Sequence, residues 1–112
     1  MTGANPAYYL PGVIDWLERG LAMARRLADE REPDPAKRCF AYNHLVDALG
    51  LRFTEKFGAR VGARGDIVRV QACGVVATSI QGLNGALRNW LVAARKTTET
   101  VATAAQMGAT LQ

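Results

Sequence analysis

Five basic residues near the middle of the chain have types and spacing suited to binding an anion. They are Arg52, Lys56, Arg60, Arg64 and Arg69, opposed in the same stretch only by Glu55 and Asp66. The steps of four from 52 to 60 place three cations on one face if a helix extends that far. Arg60 and Arg64 also fall in a glycine-rich segment, whose main-chain N–H groups are potential anion ligands. These five residues are therefore predicted to bind a partner or a nucleic acid.

The charge of the whole chain favours the same kind of partner. The 112 residues have a formal net charge of +4. Residues 1–48 are almost balanced, whereas residues 49–112 hold eight lysines and arginines against three acids. Such a surplus indicates an acidic protein, a nucleoprotein or a nucleic acid as partner, and it carries no information about the fold.

A second pattern places an arginine and a histidine six positions apart. The segment Arg38-Cys-Phe-Ala-Tyr-Asn-His44 resembles the Arg–(four to six residues)–His motif of the helical HEPN ribonucleases. The resemblance implies that Arg38 and His44 act near a scissile phosphate, often in a site paired across a dimer. Cys39 stands where a polar residue commonly follows the arginine in that family. A HEPN-like ribonuclease is therefore one of the alternative functions.

Other catalytic signatures are absent from the sequence. It has no phosphate-binding loop, no GxGxxG or GxSxG motif and only one histidine. Cys39 and Cys73 with that histidine are too few for a zinc site within one chain, and their apolar neighbours predict two buried free thiols. We therefore predict a protein that is not an enzyme, has no cofactor or metal, and works in the reducing cytoplasm. No secretory signal is expected, and the uncharged stretch 70–87 is too polar for a membrane span.

The first half of the chain has two clear helical patterns. Apolar residues at steps of three and four predict a helix over about 11–31, which Pro33 ends. Asp34 and Pro35 then suit the N-cap and first position of a second helix. Its apolar stripe runs from Cys39 to Phe57 without a break at Gly50, which predicts one long helix over 35–57.

The second half is predicted as a loop followed by a third helix over about 66–97. The seam of that helix is Cys73, Val76, Ile80, Leu83, Leu87, Trp90 and Ala94. A parallel stripe of small residues, Gly74, Thr78, Gly82 and Ala86, indicates a close helical neighbour. Two alternatives remain open. One is a small hairpin with strands at 59–61 and 67–70, and the other is a helix-turn-helix over 70–83 that would turn at Gly74.

These patterns predict a single all-α domain over residues 1–112, a bundle of three long helices with a frayed or disordered tail over 98–112. The length of the third helix favours a homo-oligomer that completes the bundle. The predicted function is a small interaction protein, acting as accessory, regulator or inhibitor, that docks on an acidic or nucleoprotein partner. Nucleic-acid binding through the basic 52–69 region is the first alternative.

Overall fold

The computed structural model describes the backbone of residues 6–111 and the side chains of residues 10–100. The elements in chain order are α1 (Pro6–Arg31), α2 (Pro35–Phe57), β1 (Arg60–Arg64), β2 (Ile67–Ala72), β3 (Val75–Ser79) and α3 (Gly82–Leu111). The strands form one antiparallel sheet in the order β1-β2-β3. The fold is therefore α+β, and the prediction of an all-α bundle of three helices is wrong.

Helix α2 occupies the range that its end signals indicate. The side chain of Asp34 accepts a hydrogen bond from the Ala36 N–H at 3.0 Å, and Pro35 takes the first turn. At the other end Gly58 has a φ of 68°, and its N–H donates to the Thr54 carbonyl. Residues 35–57 are thus helical as predicted, whereas α1 begins five residues earlier than predicted and contains Pro11.

Gly50 lies inside α2 at the point where this helix approaches α3. A Cβ built at this position would stand 2.8 Å from the Leu83 Cδ2. A larger residue would therefore push the two helices apart or displace the leucine. Close helix packing, and not helix termination, is the role of this glycine.

Two tight turns replace the first part of the predicted third helix. Gly65 has a φ of 60° in the turn from Arg64 to Ile67. Cys73 and Gly74 have φ values of 54° and 77° in the next turn. Positive φ at these central positions is what two-residue hairpin turns require. The hairpin left open as an alternative is therefore present, with longer strands and with β3 added to it.

Four sequence interpretations of this region are consequently wrong in whole or in part. Residues 66–81 are not helical, so the predicted helix 66–97 is replaced by β2, β3 and a later helix, and the helix-turn-helix over 70–83 is absent. Val76 and Ile80 of the predicted seam are exposed, whereas Leu87, Trp90 and Ala94 are buried. Gly74 and Thr78 do not share a helical stripe. The homo-oligomer was favoured by the length of the predicted third helix, and it stays a prediction.

The core lies between the sheet and the three helices. Trp90 of α3 is fully buried, and its indole N–H donates to the carbonyls of Ala72 and Val75 at 3.3 and 3.2 Å. Phe53 of α2 meets the same tryptophan edge to face, with ring centroids 5.2 Å apart. One side chain therefore joins α3 to the β2–β3 turn and to α2.

Helix α3 continues to Leu111, but side chains after residue 100 lie outside the described ones. The frayed tail over 98–112 therefore stays a prediction. Within the described residues, no helix combines the length and apolar content that crossing a membrane requires. Cys39 is exposed on α2 and Cys73 is half-buried in a turn, so the prediction of two buried thiols is wrong for Cys39.

Candidate functional site

The two faces of the sheet have opposite character. Val70, Ala72, Val75 and Ala77 point inward and are buried against the helices. Side chains alternate between faces along a strand, so their neighbours point outward. Arg69 and Thr78 are examples, and both are exposed. The sheet therefore has a packed inner face and an open outer face.

Three arginines share the outer face. Arg60 and Arg64 project from β1, and Arg69 projects from β2 opposite Gly62, which lies midway between them. Diagonal neighbours in an antiparallel pair are about 7–8 Å apart, so Arg69 lies within reach of both. We call this outer surface, formed by Arg60, Gly62, Arg64, Ile67, Arg69, Gln71, Val76 and Thr78, the arginine face.

Gly62 leaves a depression at the centre of the arginine face. Nothing lies within 4 Å of a Cβ built at this position, and the residue has no positive φ. Around it a shallow groove of about 440 Å³ is lined by Arg60, Arg64, Arg69, Gln71 and other residues of the strands. The missing side chain thus opens a space between three guanidinium groups.

No described carboxylate neutralises these arginines. The ion pairs of the described residues are Arg19–Asp15, Arg26–Glu30 and Arg95–Glu18, all between helical residues. The side chains of Arg60, Arg64 and Arg69 make no hydrogen bond within the described part of the chain. Each guanidinium therefore keeps donors free for an external carboxylate or phosphate.

The structure separates the five basic residues that the sequence grouped. Arg60, Arg64 and Arg69 lie together on the sheet, because α2 ends at Phe57 and the chain enters β1. Arg52 and Lys56 instead line a groove between α1 and α2, beside Trp16 and Arg19. Arg52, Lys56 and Arg60 therefore do not share one helical face. Of the five predicted residues, only Arg60, Arg64 and Arg69 form one surface.

Arg38 and His44 have separate surroundings on α2. The Arg38 guanidinium donates to the carbonyls of Glu32 and Pro33, at 2.7 and 3.2 Å, and so closes the junction between α1 and α2. His44 is exposed. Six helical positions turn the two side chains toward different faces. The arginine thus has a structural role, and a ribonuclease site at this pair stays a prediction.

A polar network that the sequence analysis missed joins the three helices. The buried Tyr42 hydroxyl donates to the Asn84 Oδ1 at 2.7 Å and accepts a hydrogen bond from the Arg88 guanidinium at 2.9 Å. The Arg25 guanidinium lies 4.0 Å from the centroid of the tyrosine ring. The network satisfies a buried phenol and fixes α1 and α2 on α3, so we assign it to the fold.

The arginine face offers binding rather than bond-breaking chemistry. It holds guanidinium, amide and hydroxyl groups but no nucleophile beside a base. Burial raises the pKa of the Cys73 thiol, which lies in the β2–β3 turn. Among the side chains described, no three His, Cys, Asp or Glu residues gather into a metal site.

Gly62, Gln71 and Thr78 belong to this site but were not predicted. The signal for Gln71 and Thr78 was the alternation along β2 and β3, which can be recognised only once Gly65 and Gly74 are taken as turn residues. Gly62 joins the site through its pairing with Arg69. Comparison with known protein families, with curated proteins and with solved structures gives no match. The site is therefore interpreted from its own geometry.

Proposed function

We propose that this protein is a non-enzymatic docking module whose arginine face binds an acidic surface of a partner protein. The observation that supports this most directly is the gathering of three unneutralised arginines on one open sheet face. Guanidinium groups suit this task because they remain charged and bind carboxylates through paired hydrogen bonds.

The support beneath Arg69, in the middle strand of the arginine face, is well packed. Val70 stands next to Arg69 on β2, points to the opposite side and is fully buried. Because packing holds β2, the stem of Arg69 begins from a fixed position, and β1 with Arg60 and Arg64 is held to β2 by the ladder, so less conformational freedom is lost on binding. A pre-formed platform of this kind is typical of a recognition surface.

Apolar groups on the same face favour a protein partner over a nucleic acid. Ile67 is 49% exposed and Val76 is 44% exposed, and both point outward with the arginines. Arginine combined with exposed apolar side chains is typical of protein interfaces. Single-stranded nucleic acids are instead bound on aromatic platforms, and no aromatic side chain lies on the arginine face.

Charge reversal at two separate surfaces tests the proposal. The variant Arg60→Glu/Arg64→Glu/Arg69→Glu reverses the charge of the arginine face. The control variant Arg19→Glu/Arg52→Glu/Lys56→Glu changes the net charge equally but alters the groove between α1 and α2. Binding to fluorescent poly-L-glutamate is measured against salt concentration. We expect the first variant to lose binding. The loss of affinity in the control variant should be less than about a tenth as large.

Equal losses in the two variants would contradict the proposal, because only net charge would then matter. A DNA duplex of matched charge serves as the second probe. Tighter binding to the duplex than to poly-L-glutamate at the same salt concentration would assign the arginine face to nucleic acid instead.

A further inference from the structure

The outer edge of β1 is an unpaired sheet edge. Arg64 and Ile67 flank a two-residue turn, so this pair exchanges its main-chain hydrogen bonds across the ladder. Hydrogen-bonded and non-hydrogen-bonded pairs alternate along an antiparallel ladder, so the N–H and C=O groups of Val61 and Ala63 point away from β2. Neither residue makes another main-chain hydrogen bond to a described residue. Two donors and two acceptors therefore face outward along this edge.

An apolar groove runs beside the same edge on the inner side of the sheet. It has a volume of about 610 Å³ and lies between β1, α2 and the start of α3. Leu51, Val61 and Leu83 supply its apolar surface, and Leu51 is 67% exposed. Helix α3 packs mainly under β3 and β2 and leaves this part of the sheet uncovered.

We propose that β1 accepts an extended acidic segment of the partner protein as a fourth strand of the sheet. This inference rests on the proposed function and specifies how the partner binds. An antiparallel strand at this edge would place residues opposite Arg60 and Arg64 on the arginine face, where carboxylates fit. Residues opposite Val61 and Ala63 would point to the inner side of the sheet, where Val61 lines the apolar groove. The partner segment would therefore have acidic residues at its first and fifth positions and apolar residues at its second and fourth positions. Its third position lies opposite Gly62, where the empty space accepts a large side chain.

A second copy of β1 does not meet these requirements. The strand reads Arg60-Val-Gly-Ala-Arg64, with an arginine at each end. Antiparallel pairing of all five residues with another copy would place Arg60 directly opposite the second copy's Arg64, and the reverse at the other end. Like charges opposite one another destabilise a strand pair. Arginines at an edge also hinder edge-to-edge association, so charge complementarity selects an acidic partner strand.

Synthetic peptides test the hydrogen-bonding pattern with the protein unchanged. The probe is the blocked peptide Ser-Glu-Val-Tyr-Val-Glu-Ser, whose valines lie opposite Val61 and Ala63. N-methylation of both valines removes the amides that point at β1, and we expect about tenfold weaker binding or more. N-methylation of the tyrosine alone alters an amide that points away from β1, and binding should change by less than about twofold. Equal effects of the two modifications would overturn the added strand.

Variants of the protein separate this inference from the proposed function. Ala63→Pro removes an outward N–H group and keeps every charge, and proline is tolerated at an edge strand. Ala63→Ser is the matched control that keeps the N–H group. We expect Ala63→Pro to weaken peptide binding about tenfold, with circular dichroism confirming the fold. If only charge reversal on the arginine face weakens peptide binding, the face binds acids but the fourth strand is wrong. If neither change weakens it, both proposals fail.

Discussion

The two edge strands of the sheet differ in what covers them. On β3 the side-chain amide of Asn89 donates to the Thr78 carbonyl at 2.8 Å, and α3 packs along the strand. On β1 the outward groups of Val61 and Ala63 meet no described main-chain partner, and every residue is exposed. Exposed edges promote unwanted strand pairing, and arginine is one means of limiting it. A side chain from α3 thus caps the Thr78 carbonyl at one edge, whereas the other edge is exposed along its whole length and carries arginines.

This difference indicates that the stability of the fold and the binding of a partner depend on different sides of the sheet. The side near β3 holds Trp90 and most of the buried apolar surface of the sheet. The side near β1 holds free hydrogen-bonding groups, cations and an exposed groove. Changes near β3 should therefore alter the free energy of unfolding, whereas changes near β1 should alter affinity.

Removal of Trp90 should have the largest effect on stability. Trp90→Ala opens a cavity beneath the β2–β3 turn and should lower the free energy of unfolding by about 3–5 kcal/mol in urea denaturation. Leu51→Ala, on the open side, should change it by less than about 0.5 kcal/mol, because Leu51 is mostly exposed. Comparable losses in the two variants would remove the contrast between the sides.

The same substitution at two glycines should act in opposite directions. A Cβ meets nothing within 4 Å at Gly62 or at Gly74, but only Gly74 has a positive φ, of 77°. Gly74→Thr should therefore cost about 1–2 kcal/mol of unfolding free energy. Gly62→Thr should raise that free energy by about 0.5 kcal/mol, because threonine favours an extended strand.

Peptide binding gives Gly62→Thr a second readout. The new side chain projects between the three arginines and should weaken binding of the acidic peptide while the fold becomes more stable. Isothermal titration measures the affinity, and urea denaturation measures the stability. Unchanged affinity would show that no ligand group enters the groove at Gly62.

The hydrogen bond from Asn89 to the Thr78 carbonyl of β3 should make a smaller contribution. Asn89→Asp keeps the size of the side chain but removes the N–H donor to Thr78. We expect a loss of about 1 kcal/mol in urea denaturation, since one exposed hydrogen bond is lost and an acceptor then faces a carbonyl. Asn43→Asp, on the exposed part of α2, is the control substitution. A loss no larger than that of the control would show that the hydrogen bond from Asn89 does not stabilise β3.

Thiol reactivity should show the smallest difference. Cys39 is exposed, whereas Cys73 is half-buried and burial raises the pKa of its thiol. Burial keeps a larger fraction of the Cys73 thiol protonated and also limits access to it, so at pH 8 Cys73 should react with iodoacetamide at least about threefold more slowly than the exposed Cys39. The variants Cys39→Ser and Cys73→Ser isolate the two rates, and equal rates would contradict this placement.

Helices α1 and α2 and the buried stripe of α3 could be predicted from the sequence. Asp34 and Pro35 mark the start of α2 by chemistry that is local to them, and the apolar period reaches Phe57. Leu87, Trp90 and Ala94 likewise show the buried stripe of α3. Local signals of this kind are sufficient because the hydrogen bonds of a helix join near neighbours in the chain.

The sheet was not predicted because the apolar residues between positions 73 and 83 also recur at the spacing of a helix. Apolar residues at 73, 76, 80 and 83 fit a helical stripe. Val76 in fact points outward from β3, and Cys73 forms a turn. Gly74 was taken as a site of close helix packing, although its positive φ makes it a turn residue. The arginine face depends on strand pairing, which no short segment encodes alone.

Amide hydrogen exchange on β1 tests the central claim most directly. In the free protein the N–H groups of Val61 and Ala63 should exchange fast, whereas that of Gly62, which points at β2, should be protected. Saturating Ser-Glu-Val-Tyr-Val-Glu-Ser should slow exchange at Val61 and Ala63 by about tenfold or more and leave Thr78 of β3 unchanged. Bound peptide with unaltered exchange at Val61 and Ala63 would contradict the account, because the partner would then contact the arginines without joining the sheet.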